Sequence, residues 1–554
     1  MTPLKRLYNL YSLDRRDIYQ ILFYAAFAGL ISLSLPLGIQ AIVNFIQSGR
    51  VSVSWIVLVF IVTAGVVLGG ILSLMQLRIT ENLQQKIFIR SSFEFAARLP
   101  RILFGERYPE YPPEVANRFF DTLTIQKGTA KMLLDFSAAL LQIVFGVILL
   151  SLYHPFFIIF GLMLMILLFI IFKFSFKSGV KTSLKESKYK YAVAGWLQEI
   201  ARNYMSFKKT ESFRFALAKN DRLTHEYLTH REKHFAILRR QFAQLIGFKA
   251  LITVTLLAVG GYLVIAGQIN IGQFVAAEII ILLVIGSVEK IILGLETFYD
   301  VLTSVEKIGE VTDMEIEPDF SNQPTSCFRQ IQLHTKNVSV VYPDATQPTL
   351  TNINLEINQG ERIVVEGPNG SGKTTLIRVL AGLITPTKGN FYTNDAQFDK
   401  IDKTLFRNHI AGVIHGETPF AGTIAQNLNF DETVDPAELG AVLRAIGLDG
   451  SISELPQGMQ TQISPEGRLM SSSDAQKLLV ARAILRKPLV LFFEDPTDKM
   501  DDDTARQVID YLMDPAHRWT VIVTSKNPYW KSLATRLITV NNGTITQDKP
   551  LKSC

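Results

Sequence analysis

The sequence predicts two fold classes in one chain: a membrane α-helical domain of six spans, followed by an α/β P-loop NTPase domain. Three observations carry this. Long apolar runs recur between residues 18 and 300, and Pro155–Phe172 alone is eighteen residues without a charge, about what a helix needs to cross a bilayer. Basic residues gather in the long segments between those runs. Residues 367–375 read Gly-Pro-Asn-Gly-Ser-Gly-Lys-Thr-Thr, between a strand-like and a helix-like run, which is the pattern of a phosphate-binding loop.

The six spans fall near 19–46, 53–77, 133–153, 155–173, 243–266 and 273–296. Segment 78–132 carries nine Lys or Arg and 174–240 more than a dozen, whereas the short links 47–52, 152–154 and 267–272 hold only Arg50. This asymmetry places the long segments and both termini in the cytoplasm. It also accounts for the net charge of +6. The basic residues read as facing anionic lipid of the bilayer or a solvated helix face, and no nucleic-acid partner follows. Cys327 and Cys554, the two cysteines, suggest neither a metal site nor a disulfide framework. A polar start and a span-length first apolar run argue against a cleavable signal, and leave no room for an extra domain before the spans.

The second span continues without a breaker through Arg78–Leu99, and the fourth through Lys173 into Leu184–Tyr204. Pro100–Pro113 is turn-rich, either an exposed loop or the seat of a short coupling helix that touches the nucleotide domain. Ile308–Gln330 is acidic and polar and reads as a linker. The expected division is therefore 1–310 for the membrane domain, 311–330 for the linker and 331–554 for the nucleotide-binding domain.

In the phosphate loop, Gly367, Gly370 and Gly372 let successive N–H groups converge on an anion, with Asn369 and Ser371 between them. The helix that follows adds its positive end. Lys373 reaches the outer phosphates, the Thr374 hydroxyl ligates Mg²⁺, and Thr375 continues the helix. The apolar, β-branched run Arg362–Glu366 and the helical spacing of Thr375–Ala381 supply the expected context.

At this point the chain resembles an ATP-binding cassette (ABC) exporter half-transporter over essentially its whole length. The resemblance implies ATP and Mg²⁺ as ligands, and a homodimer or a heterodimer with another half-transporter. It gives Tyr342 the place of the aromatic residue that stacks on adenine; a strand-end tyrosine packed on the domain surface is the alternative.

Four elements depart from the family pattern. His415 stands where a glutamine contacts Mg²⁺ and water, ahead of the intact Phe420-Ala-Gly-Thr-Ile424, and imidazole is a poor ligand for a hard cation. The Leu-Ser-Gly-Gly-Gln signature, which pins the partner's γ-phosphate, reads Met470-Ser-Ser-Ser-Asp474. Ser471 survives, Ser472 and Ser473 take the places of the glycines and restrict close approach, with Ser473 still among the contacts, and Asp474 turns a carboxylate towards a triphosphate. The strand Leu489–Glu494 ends in Glu494-Asp495, inverted from Asp-Glu. Glu494 supports the metal, while Asp495, in the water-activating place, is shorter than glutamate by about 1.5 Å. A catalytic group misplaced by about 1 Å can cost roughly 10²-fold in rate. Lys526 replaces a γ-phosphate-sensing histidine; it can hold phosphate but accepts no hydrogen bond with which to orient water. Asp501 is retained in the loop that makes dimer contacts in the family.

The resemblance also bears on cargo. Gly267–Ala276 and Thr303–Gly309 look like the toxin and peptide secretion group of bacterial exporters, without a peptidase domain. The implied role is slow ATP-driven export through the inner membrane, with polypeptide cargo first and lipid or small hydrophobic cargo second. A periplasmic adaptor and an outer-membrane channel are implied partners for polypeptide cargo. A nucleotide-binding scaffold with negligible turnover is the alternative. Polar residues within spans are Gln40, Asn44, Gln142, Lys249, Glu278 and Glu289; Glu278 either lines a translocation path or makes an inter-helix contact.

Overall fold

The computed structural model describes residues 1–47, 53–104, 107–108, 111–318, 328–343, 345–414, 416–429, 434–467 and 470–551. His415, Cys327 and Cys554 lie outside the described residues. The chain divides into two compact units, Met1–Ile102 with Glu110–Ile316, and Leu103–Pro109 with Glu317–Cys554.

In the first unit, six helices among the described residues are long and apolar enough to cross a membrane: Arg15–Gln47, Val53–Arg101, Pro112–Tyr153, Phe156–Arg202, Thr210–Ile265 and Ile271–Thr312. Their apolar stretches coincide with the six runs read from the sequence. Val53–Arg98 is one unbroken helix of 46 residues and Phe156–Arg202 one of 47. At about 1.5 Å per residue each spans roughly 70 Å, far more than a ~30 Å hydrocarbon core. The first span, expected to be continuous, breaks at Leu33 between Arg15–Ser32 and Ser34–Gln47. Pro36 lies just beyond the break and has no N–H to carry the helix through it.

Half of the apolar stretch of Ile271–Thr312 is buried and none of that of Val53–Arg101, so the sixth helix forms the centre of this unit and the second its outer face. Polar side chains within the spans pair across helices. Tyr153 donates to Gln40 at 2.6 Å, Ser287 to Gln142 at 2.8 Å, and Lys249 pairs with Glu289 at 2.8 Å. Asn44 lies against the Gly272 backbone, where a Cβ would come within 2.2 Å of its Oδ1. Glu278 is half-buried and has no polar partner among the described residues. Of the turn-rich stretch 100–113, Pro100 and Arg101 belong to the short helical turn Leu99–Arg101 and Pro112 opens the helix Pro112–Asn117, while the described positions between them are loop with a bridge between Phe104 and Tyr108.

The second unit is α/β. Its central sheet runs β12-β11-β3-β10-β9-β6, with β3 Arg362–Glu366, β6 Ile410–Val413, β9 Val490–Glu494, β10 Thr520–Thr524, β11 Arg536–Asn541 and β12 Thr544–Pro550. All pairings are parallel except β11 with β12. A second, antiparallel sheet runs β2-β1-β4-β5, with β1 Leu333–Val340, β2 Leu350–Ile357, β4 Lys388–Thr393 and β5 Ala396–Gln397. A small ribbon pairs β7 Gly422–Thr423 with β8 Gln462–Ile463.

Successive residues of a strand face opposite sides, and both sides of the central sheet are covered. Ile363, Val365, Phe492, Ile522 and Ile538 pack with Leu376, Ile377 and Leu380 of helix Lys373–Leu380. Val364, Leu491, Phe493, Val521 and Val523 pack with helices Ser472–Leu485 and Asp502–Met513. Burial on two faces is why β9 and β10 read as continuous apolar runs rather than alternating ones. Their ends, with that of β3, converge on one rim, where ligands of open parallel sheets bind.

Candidate nucleotide site

Strand β3 delivers the chain into a loop that glycine makes possible. Gly367, Gly370 and Gly372 have φ of +150°, +77° and +101°, values a side chain rarely allows. A Cβ on Gly367 would stand 2.0 Å from the Val540 carbonyl oxygen, and one on Gly372 would stand 2.8 Å from Leu350 and 2.9 Å from the Thr349 carbonyl. A Cβ on Gly370 would meet open space, so only its backbone conformation calls for glycine. Gly372 is the N-cap of helix Lys373–Leu380, whose free first-turn N–H groups form an anion-binding end.

The side chains fit a triphosphate and its metal. Lys373 Nζ donates to the Gly367 and Pro368 carbonyls, both at 2.8 Å, so the ammonium sits within the loop. The Thr374 hydroxyl donates to the Glu494 carboxylate, which brings the two candidate Mg²⁺ ligands together from separate elements. Ser371 Oγ is buried without a partner among the described residues, an orphaned polar atom of the kind a ligand oxygen satisfies. Asn369 and Gly370 are exposed on the loop. Tyr342, two residues past β1, sets its hydroxyl 3.3 Å from Thr375 Oγ1, which seats the half-buried ring beside the loop. No cluster of three or more His, Cys, Asp or Glu suited to a metal occurs among the described residues.

Asp495 follows β9 with φ of +46°, a strained conformation that aspartate tolerates better than most residues. Its backbone is held on both sides: its N–H donates to the Thr524 carbonyl at 2.8 Å and its own carbonyl accepts from Gln476 Nε2 at 2.8 Å. Its carboxylate accepts from the Lys526 N–H at 3.2 Å. The Lys526 side chain is exposed. Gln476 also donates to Asp498 at 2.6 Å and accepts from the Lys499 N–H, which ties the signature helix to the loop after Asp495. Asp501 caps helix Asp502–Met513 by accepting from the Thr504 N–H, which holds its carboxyl below the usual range.

The signature segment is self-contained. Ser471 is the N-cap of helix Ser472–Leu485: its hydroxyl accepts from the Asp474 N–H at 3.0 Å and donates to the Asp474 carboxylate at 2.7 Å. Asp474 also accepts from Ser451 at 3.2 Å and lies 3.5 Å from Lys477 Nζ. Its charge, expected to confront a triphosphate, is thus turned into its own helix and balanced by a buried lysine. Ser473 is half-buried on the first turn.

Sequence reasoning passed over Ser451 and Lys477, for which no local pattern exists, and Gly543, which the hairpin signal Asn542-Gly543 between two strand-like runs could have found. It also passed over Glu417, whose carboxylate accepts from the Ile414 N–H at 3.4 Å. Partial desolvation by its surroundings pushes the Glu417 carboxyl above its ordinary range although the residue is exposed, while the Ile414 N–H, Arg482 and Arg486 pull it back.

The family model described as ABC transporter matches residues 350–498. The chain is similar to the ATP-dependent lipid A-core flippase of Burkholderia orbicola, at 29% identity over 281 residues, 51% of this chain and 47% of the relative. It is similar to the glutathione/L-cysteine transport system protein CydC of Escherichia coli K12, at 25% identity over 70% of this chain and 67% of the relative. The α-hemolysin translocation protein HlyB of Escherichia coli O157:H7 is 27% identical over 52% of this chain and 41% of the relative. The flippase and HlyB matches thus take in under half of those relatives' lengths. The fold is that of a bacterial Atm1-family ABC exporter with ATP bound, at a TM-score of 0.85 and 17% identity, covering 97% of this chain and 95% of that one.

Proposed function

Given that six apolar spans fused to an ABC transporter cassette make this chain a multi-pass membrane protein of the ABC exporter type, we propose that it is a half-transporter that couples ATP binding to export across a bacterial inner membrane. In this reading the cassette and both termini are cytoplasmic. Two copies, or this chain and another half-transporter, close on ATP.

The observation that carries the reading is the meeting of Thr374 and Glu494 beneath a loop with Lys373 folded into it. Lys373, the loop N–H groups and the end of helix Lys373–Leu380 hold the phosphates; Thr374 and Glu494 hold Mg²⁺. The metal, when bound, neutralises phosphate charge. Tyr342 stacks on the base, and Ser471 and Ser473 face the nucleotide of the partner.

Turnover is slow in this reading. Asp495 is the carboxylate available for water activation, but its backbone is held on both sides and its oxygen is engaged by the Lys526 N–H. The bond from Ser471 to Asp474 must exchange before Ser471 serves a phosphate. The site therefore holds ATP better than it splits it. Polypeptide cargo is the first choice, consistent with HlyB among the relatives and with an adaptor and outer-membrane channel as further partners. The flippase relatives favour lipid cargo as the second.

Steady-state ATPase activity in lipid, compared with Lys373→Ala and Asp495→Asn, tests this. Low activity abolished by both supports a slow motor. Clear ATP binding with no activity above the Lys373→Ala background overturns it in favour of a nucleotide-holding scaffold.

A further inference from the structure

The chain has two Asn-Gly pairs, Asn369-Gly370 in the phosphate loop and Asn542-Gly543 in the turn between β11 and β12. Asparagine ahead of glycine is prone to lose its side-chain amide, because glycine has no Cβ to shield its backbone nitrogen. That nitrogen is the nucleophile, and the asparagine Cγ is its target. A given pair reacts when the nitrogen is free and its peptide plane can turn.

The fold treats the two pairs differently. Gly543 is buried, and its N–H donates to the Ser371 carbonyl at 2.9 Å. A Cβ there would stand 2.6 Å from the Thr349 carbonyl oxygen, so the backbone lies against a wall. Asn369 and Gly370 are both exposed. They form the middle of the turn Pro368–Ser371, closed by the Ser371 N–H on the Pro368 carbonyl at 3.2 Å. Gly370, at φ +77°, takes the place where a type II turn calls for glycine. Among the described residues the Gly370 N–H, the Asn369 carbonyl and the Asn369 side-chain amide make no hydrogen bond. A Cβ on Gly370 would meet open space. The peptide between the two residues can therefore rotate without breaking a bond.

We propose that Asn369 is a deamidation site within the phosphate loop, open in the nucleotide-free protein and closed by bound nucleotide. The Gly370 nitrogen, on losing its proton to hydroxide, bonds to the Asn369 Cγ. The Cγ–Nδ2 bond breaks, the side-chain nitrogen takes a proton from water and leaves as ammonia, and a five-membered succinimide remains. Water then opens that ring at one of its two carbonyls. Opening at Cγ gives aspartate. Opening at the backbone carbonyl gives isoaspartate, whose main chain runs on through Cβ and Cγ.

Both products set a new carboxylate in a cradle suited to phosphate, where like charges repel. Isoaspartate also lengthens the cradle by an extra main-chain carbon. The closing by nucleotide rests on the reading given under Proposed function: loop N–H groups held by phosphate oxygens are not free to attack. A site that seldom empties would thus preserve its own loop.

The test is a time course of the intact chain in detergent at mildly alkaline pH. Peptide mass spectrometry separates asparagine, aspartate and isoaspartate at each pair. Without nucleotide, Asn369 is expected to convert about fivefold faster than Asn542, the worth of about one hydrogen bond on the attacking nitrogen. In the urea-unfolded chain the two rates should converge. Gly370→Ala should bring conversion at Asn369 to the Asn542 rate or below it. Mg²⁺-ATP should slow Asn369 about fivefold. Equal conversion of the two pairs in the folded chain, or an undiminished gap in urea, overturns the site. A melting temperature raised by Mg²⁺-ATP with no slowing at Asn369 overturns its closure. An unmoved melting temperature, with the nucleotide-free gap intact, fails the nucleotide reading and leaves the site standing.

Discussion

The Asp495 carboxylate accepts a hydrogen bond from the Lys526 N–H at 3.2 Å. The residue in the water-activating place and the residue in the γ-phosphate-sensing place are thus joined through backbone. The Lys526 side chain is left exposed beyond them.

Because that bond uses the backbone, Lys526→His should keep it. The substitution restores a group that both accepts and donates hydrogen bonds. Steady-state ATPase activity is expected to rise by about tenfold, short of the 10²–10⁴ that a fully positioned acid–base group supplies. Weaker ATP binding with no gain in turnover would instead assign Lys526 to holding the nucleotide.

Gly370 and Gly372 separate conformation from space. Gly370→Ala meets no neighbour and should cost about 1 kcal/mol of cassette stability from backbone strain alone, with nucleotide binding retained. Gly372→Ala adds contact with Leu350 and the Thr349 carbonyl. It should cost about 3 kcal/mol and abolish binding. Thermal unfolding with and without nucleotide reads both effects.

Lys477 is expected to matter through Asp474 at 3.5 Å and through the Gly447 carbonyl, to which its ammonium donates at 3.0 Å. Lys477→Met leaves the Asp474 charge with only hydroxyl and N–H partners, and should destabilise the cassette by about 2 kcal/mol. Adding Asp474→Asn should recover about half of the loss. Additive losses in this double-mutant cycle would refute the coupling.

Glu417 gives a pH dependence. Its folded carboxyl titrates above the ordinary value because neighbouring groups partly desolvate it, and the effect is small because much of the residue still meets solvent. The folded state therefore binds its proton more tightly, and the stability this contributes is present at low pH and lost as pH rises through the folded value. Glu417→Gln should raise the melting temperature at pH 7 and leave it nearly unchanged below the ordinary carboxylate range. A variant that melts lower at pH 7 would show that Arg482 and Arg486 outweigh desolvation.

Much of this architecture was legible because it is local. The spans follow from uncharged length, and the phosphate loop from glycines and a lysine at fixed offsets. Ser471 caps its helix, a place that a serine just ahead of a helical run commonly takes. What escaped were contacts that exist only after the chain closes on itself. Lys249 and Glu289, and Gln142, were each visible as polar residues within spans, but their pairings follow from helix rotation that hydropathy does not encode. Asp474 read as a charge aimed at phosphate, because Ser451 and Lys477 become its partners only when the signature helix docks. The break at Leu33 had a sequence signal in Pro36, which a reading by hydropathy alone passes over.

The turn between β11 and β12 gives the phosphate loop a dependence far along the chain. Gly543, with φ of +74°, donates its N–H to the Ser371 carbonyl at 2.9 Å and accepts from the Thr351 N–H at 2.8 Å. One residue thus clasps the loop to the start of β2. Because β12 is an edge strand of the central sheet, a molecule that added a strand there would pull on this clasp. The C-terminal hairpin is in this sense a lever whose short arm ends in the phosphate cradle. A tag spliced into that turn would be felt where ATP binds, although in sequence it stands at the opposite end of the cassette.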